Sequence, residues 1–131
     1  DFDFRDFMPW IGHIRIVNVS TSPPRLEVTL DGAEIVNVAG IDLTGKHLDV
    51  VYGSDRLKFL LDGYSRVLAG EGVVYEVLRP NGRIVNFGEI VRVLLPCGME
   101  NTIQHILYCE YAYDVLHWGA TVFADMDDLR L

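Results

Sequence analysis

The hydrophobic period of this chain changes at Gly70, and that change limits the folds open to it. Upstream, Leu57, Leu60, Leu61, Tyr64 and Leu68 recur at the spacing of a helix with one apolar face, with Ser54 placed as N-cap and Gly70 after the last turn. Downstream, apolar residues alternate over 73–78, 83–95 and 102–113. Strand side chains point to opposite faces in turn, so a period of two marks strands with one face buried. Pro80-Asn81-Gly82 and Pro96-Cys97-Gly98-Met99-Glu100-Asn101 separate these runs, and Asn-Gly between apolar runs is a strong hairpin signal. One helix followed by three antiparallel strands is the expectation.

The first half supplies two more strands. Alternation over 14–19 and 26–30 is broken by Ser20-Thr21-Ser22-Pro23-Pro24, which has the chemistry of a turn. Gly32, Gly40 and Gly45 then divide the chain into short helical pieces at 33–38 and 48–52, with Asp42-Leu43-Thr44-Gly45 as a tight connector. The predicted class is α+β: a five-stranded antiparallel sheet with helices inserted between strands two and three, covering one face.

With 131 residues, half of them hydrophobic and 23% charged, the chain has the composition of a single folded domain with one core and at most one small pocket. Its net charge of −8 repels phosphate backbones and anionic lipid, which argues against nucleic acid as a partner. No apolar run approaches the ~20 residues that cross a bilayer, so no membrane span is expected. Two cysteines, Cys97 and Cys109, with no evident signal peptide indicate neither a disulfide framework nor a four-ligand zinc site, and point to a reducing, cytoplasmic setting. The start at Asp1-Phe2-Asp3-Phe4 reads as that of a trimmed or excised piece, whose function could continue outside it. Phe2, Phe4, Phe7, Met8 and Trp10 are too many apolar side chains to leave in water and require a cover.

Four stretches carry a family resemblance: Met8-Pro9-Trp10-Ile11, Gly40-Ile41-Asp42-Leu43-Thr44-Gly45-Lys46-His47-Leu48, Tyr64-Ser65-Arg66-Val67-Leu68-Ala69-Gly70 and Arg92-Val93-Leu94-Leu95-Pro96. Through them the chain resembles the PAS (Per-Arnt-Sim) sensor fold, and more narrowly a bacterial group of short single-domain PAS proteins. The resemblance covers about 7–113 of a single domain spanning 1–131, with an aromatic segment at 1–10 before it and an extension at 114–131 after it. It implies a cytoplasmic sensory or signalling module that encloses a small ligand, engages a signalling protein partner, commonly forms a homodimer and is not an enzyme. The cofactor stays unknown. Haem is disfavoured because the helix from Ser54 to Gly70 has no histidine, and a light-reactive flavin adduct because no Asn-Cys-Arg-Phe-Leu-Gln stretch is present.

Strand parity then sorts the last two strands. Val85, Phe87, Glu89, Val91, Val93 and Leu95, with Ile103, His105, Leu107, Cys109 and Tyr111, read as the inner face. A bulge would exchange the faces beyond it. Glu89 and His105 are the polar exceptions inside, each needing a protein partner or a ligand, and Glu76 becomes a third if Asn81-Gly82 makes a two-residue turn. A hydrogen-bonded core role is the commoner one for such a histidine, and Tyr64 on the helix is either packing or a hydroxyl that orients a ligand. The candidate ligand set is Tyr64, Glu89 and His105. The opposite set reads as an outer face whose Ile90, Leu94, Ile106 and Tyr108, beside Arg92 and Gln104, form an interface. Two competing classes remain: a small α+β cone-fold enzyme using Glu89 and His105 as an acid–base pair, and a purely structural dimerisation domain. His13, His47, His105 and His117 have no metal-ligand spacing.

Overall fold

The computed structural model describes residues 4–55, 57–78 and 89–113. Its five antiparallel strands are β1 (Ile14–Val19), β2 (Leu26–Asp31), β3 (Val74–Leu78), β4 (Glu89–Met99) and β5 (Thr102–Tyr113), in the sheet order β2-β1-β5-β4-β3. The sheet is completed by β5 at its centre, opposite β1 through Val17 and Ile106 and opposite β4 through Leu94 and Tyr108. The helices are α1 (Phe4–Phe7), α2 (Ala33–Ala39), α3 (Leu48–Val51) and α4 (Asp62–Leu68), with 3₁₀ turns at Met8–His13 and Lys58–Leu61. The sequence expectation of two strands, helices and three strands is met. The Asn81-Gly82 turn falls outside the described residues.

The helix expected from Ser54 to Gly70 is divided. Ser54 does not cap it: the Ser54 carbonyl accepts from Leu57 and Lys58, while its hydroxyl is buried without a partner. Leu57, Phe59, Leu60 and Leu61 cannot share one stripe of an α-helix, and the chain winds them into a tighter 3₁₀ turn before α4 begins.

The covered sheet face is the reverse of the one parity assigned. Ile90, Leu94, Ile106 and Tyr108, expected outside as an interface, are 5, 0, 0 and 3% exposed and lie in the core with Val17, Leu43, Leu48, Tyr64 and Val67. Val91, Val93, Leu95, Leu107, Cys109 and Tyr111 take the outer face, half-buried, and Glu89 shares their parity. Two causes combine. The β4–β5 ladder is bulged: Gly98 opposes Ile103 and Cys97 opposes His105, so Gln104 is the extra residue, Ile103 packs on the core, and His105 emerges exposed. In addition, Arg92 and Glu110, read as solvent-facing, are buried inside.

Asp31 and Asp49 tie the helical layer to the sheet. The Asp49 carboxylate accepts from the backbone N–H groups of Arg25 at 2.6 Å and Leu26 at 3.2 Å, fixing the start of β2. Along the β2 edge, Gly45 N donates to Val28 O and Val28 N to Lys46 O, so the connector occupies what would be an open strand edge. Asp42 accepts from the amide and hydroxyl of Thr44, and these bonds draw its carboxyl below the usual range. Gly45 closes this turn at a φ of +83°. Gly45→Val is expected to lower stability by roughly 1 to 3 kcal/mol through backbone strain, because a Cβ there meets no neighbour. Coincident urea midpoints for variant and parent would contradict this.

Candidate ligand-binding site

The inner face carries two cross-strand rows of polar side chains. In one, Asp31 of β2 opposes Arg15 of β1, which opposes Tyr108 of β5; in the other, Glu76 of β3 opposes Arg92 of β4, which opposes Glu110 of β5. Arg15, Arg92 and Glu110 are 3, 2 and 7% exposed, so their charges have left water and must be compensated within the protein.

The two arginines are compensated differently. Arg15 is gripped by Asp31 in a two-point pair, Nε to Oδ1 at 2.9 Å and Nη2 to Oδ2 at 3.3 Å, and its Nη1 reaches the Tyr52 hydroxyl at 3.4 Å. Arg92 donates once to Glu76 Oε2, from Nη2 at 3.1 Å, and once to the Leu60 carbonyl, from Nη1 at 3.0 Å. Its Nε is buried without a partner. Burial alone would lower both guanidinium pKa values, but the surrounding phenols and carboxylates outweigh it and hold both above the usual range.

Tyr64 and Tyr108 stand between the arginines. Their rings stack with centroids 5.8 Å apart; Arg15 lies over Tyr108 at 5.3 Å, and Arg92 lies over Tyr64 at 5.9 Å and Tyr108 at 5.8 Å. Tyr108 donates its hydroxyl to Glu110 Oε1. The Tyr64 hydroxyl, fully buried, makes no hydrogen bond of good geometry. Burial pushes its pKa up to about 12, although nearby Arg15 offsets part of the effect. Glu110 is likewise pushed up by burial, against the pull of Tyr108, Arg15 and Arg92.

Gly63 sets the approach of α4 to this cluster. A Cβ at Gly63 would lie 2.5 Å from Glu76 Oε1 and 3.0 Å from Arg92 Nη2. The helix therefore rests directly on the ion pair. Of the residues expected to form a site, only Tyr64 belongs to it. Glu89 and His105 are on the outer face, opposite Tyr113 and Cys97 in the β4–β5 ladder. Eight β4 residues separate those two register positions, roughly 26 Å at a strand's rise of about 3.3 Å per residue, which rules out an acid–base pair. Arg15, Arg92, Tyr108 and Glu110 were missed as interior groups, although each is in phase with buried apolar residues of its own strand.

The cluster is closed by its own rings, with Tyr64 stacked on Tyr108 and Arg92 over both. Cys97 lies exposed near the β4–β5 turn and Cys109 is on the outer face, so neither thiol reaches the interior. No histidine is buried among the described residues. Nor do these residues bring three His, Cys, Asp or Glu side chains together for a metal.

No family model matches the chain, and no curated protein matches its sequence. Solved structures do. A sensory box sensor histidine kinase from Vibrio cholerae superposes with a TM-score of 0.56 at 13% identity, over 83% of this chain and 88% of that one. The LOV protein of Rhodobacter sphaeroides gives 0.51 at 14% identity over 85% and 68%, and a light-oxygen-voltage domain studied with a flavin analogue gives 0.50 at 12% over 76% and 75%. With the strand order β2-β1-β5-β4-β3, these matches show that the chain has the PAS fold that those domains share. Among the described residues, no helix is long and apolar enough to cross a membrane.

Removing the Glu76 carboxylate by Glu76→Leu would strand Arg92, with an expected loss of about 3 to 5 kcal/mol; adding Arg92→Met to Glu76→Leu would recover most of it. A double-mutant cycle in urea checks both, and additive losses would refute the pairing. Glu110 gives the opposite pH sign to an ordinary salt-bridged acid. Its folded pKa lies above the unfolded one, so its contribution is full below the usual carboxylate range and is lost as pH rises through the raised value. Glu110→Gln keeps an acceptor for Tyr108 and is expected to flatten that fall, as read from melting temperature against pH.

Proposed function

We propose that this chain is a sensory module in which a small molecule settles among Arg92, Tyr64 and Tyr108, and that it signals through a protein docked on the outer sheet face. The observation that carries the reading is a group of buried polar atoms without partners, Arg92 Nε, Tyr64 Oη and Glu76 Oε1, beside the stacked Tyr64 and Tyr108 rings. Protein interiors seldom leave such groups unmatched, because each costs about 1 to 3 kcal/mol. The sensory box kinase and the light-oxygen-voltage proteins support a signalling role by analogy of fold. No catalytic step enters this reading.

The docking face replaces the one expected from sequence. Met8, Trp10 and Ile11 are 55, 47 and 41% exposed in the first 3₁₀ turn. Trp10 meets Tyr111 edge-on with ring centroids 5.7 Å apart, and half-buried Val91, Val93, Leu95 and Leu107 continue the apolar surface. A second copy is the partner we favour, since Met8, Trp10, Ile11 and these valines and leucines carry no charge, while the chain's charge of −8 disfavours self-contacts through its charged surface. The free thiols of Cys97 and Cys109 suit a reducing cytoplasm.

Native mass spectrometry against the denatured chain mass tests ligand and oligomer together. The expected native mass is two chains plus a small molecule. His105→Leu should leave the small molecule bound, since His105 is exposed on the outer face and does not reach the interior. Tyr64→Phe should fold with equal or higher stability and lose the small molecule. A wild-type mass equal to whole chains alone would end the ligand reading.

A further inference from the structure

Side chains of alternating charge run in one line from the surface into the sheet. At the outer end Glu71, just after α4, accepts from Arg66 Nε with both carboxylate oxygens at 3.2 Å. Arg66 Nη1 lies 3.9 Å from Glu76 Oε1, and Glu76 Oε2 accepts from Arg92 Nη2 at 3.1 Å. Glu110 ends the line. It opposes Arg92 from β5 as Glu76 does from β3, so one buried guanidinium stands between two carboxyls in a single cross-strand row. Glu71 and Arg66 are half-exposed, whereas Glu76, Arg92 and Glu110 have left water almost completely.

Arg92 bonds only one of its two carboxyls. It donates to Glu76 and to the Leu60 carbonyl, while the Tyr108 phenol, partner to both Arg92 and Glu110, donates its hydroxyl to Glu110. The other groups facing Glu110 are Arg15 from β1 and Asp31 from β2; Tyr64 of α4 stacks on Tyr108, Tyr52 after α3 contacts Arg15, and His13 of the first 3₁₀ turn meets the Glu110 backbone carbonyl. Arg15 is already held by Asp31 at two points. With Glu110 neutral, two guanidiniums therefore balance two carboxylates. With Glu110 ionised, a third buried carboxylate would have no cation of its own. Two atoms mark where a second pairing can form: Arg92 Nε, in the same row as Glu110, and Glu76 Oε1, on the side of Arg66, are buried without hydrogen-bond partners. Burial also raises the Glu110 carboxyl above the usual range, which sets its ionisation apart from that of exposed acids.

We propose that this line is a proton-controlled exchange of partners: when Glu110 gives up its proton to water, Arg92 turns from Glu76 to Glu110, Glu76 passes to Arg66, and Arg66 releases Glu71. The excess negative charge then rests on Glu71, in water, where it costs least. An interior proton is thereby read at the end of α4, where the Glu71 amide donates to the Arg66 carbonyl at 3.2 Å. The exchange needs no bound molecule, so it stands or falls separately from the ligand reading.

Carboxyl carbon and arginine Nε–H NMR signals of the whole chain, followed from pH 5 to pH 9, test the exchange. Glu110 is expected to titrate with one midpoint in that window, and the Arg92 and Arg66 Nε–H signals to shift with the same midpoint. In Glu110→Gln both arginine signals should stay constant. Arg66→Gln removes the group that takes Glu76 and should raise the Glu110 midpoint by about half a pH unit or more, a threefold gain in proton affinity; Glu71→Gln frees Arg66 and should lower it by a similar amount. Lys58→Gln, which removes a cation outside the line, should move the midpoint by less than a third as much. If Glu110→Gln does not fold, the opposite signs of the two surface variants decide. Arginine signals that stay flat while Glu110 titrates would overturn the exchange, as would an Arg66→Gln shift no larger than that of Lys58→Gln. Absence of any Glu110 titration in the window would overturn the proton control.

Discussion

The Arg15–Asp31 pair fastens three parts of the chain at one point. Arg15 comes from β1 and Asp31 from the end of β2, so their two-point contact fixes the last register of that hairpin. The same Asp31 Oδ2 accepts from the Leu43 amide at 3.0 Å, drawing the connector between α2 and α3 against the sheet. Leu43 is then 1% exposed and seals the apolar layer from that side. A neutral side chain at position 31 would release the guanidinium and the loop at once. For that reason this pair can organise the structure even where a buried ion pair contributes little net stability.

The same logic sets the spacing between sheet and helices. Apolar layers usually pack through interdigitating side chains, whereas α4 approaches the sheet through a residue with none, Gly63. The close approach lets Leu60 present a backbone carbonyl to Arg92 and keeps Tyr64 flat against Tyr108.

Much of the fold was legible because its signals are local. The alternation in 14–19, 26–30 and 102–113 and the turn chemistry at Gly40 and Gly45 are properties of a few consecutive residues, and they gave the strands, their order along the chain and the PAS resemblance. The site was much less legible. Choosing the inner face meant deciding between an apolar set containing His105 and a mixed set containing Arg92, Tyr108 and Glu110. Hydrophobicity favours the first, yet the second is inside because its charges meet partners on other strands that only the folded register reveals. The bulge at Gln104 compounded the error, since Ile103 and Ile106 are both inward although parity separates them. A usable signal was present: Arg15, Arg92 and Glu110 each sit in phase with buried residues, Val17, Leu94 and Tyr108, and charges in phase on three strands can compensate one another.

The central position of β5 has a consequence for how the chain is made. Until residues 102–113 leave the ribosome, the β1–β2 hairpin and β4 each have an unpaired inner edge, and Arg15 lacks the strand that carries Tyr108. The sheet can therefore close only once β5 is available, through contacts between strands far apart in the sequence, and such non-local pairing is slow. During that interval the nascent chain exposes two template edges to any neighbouring strand.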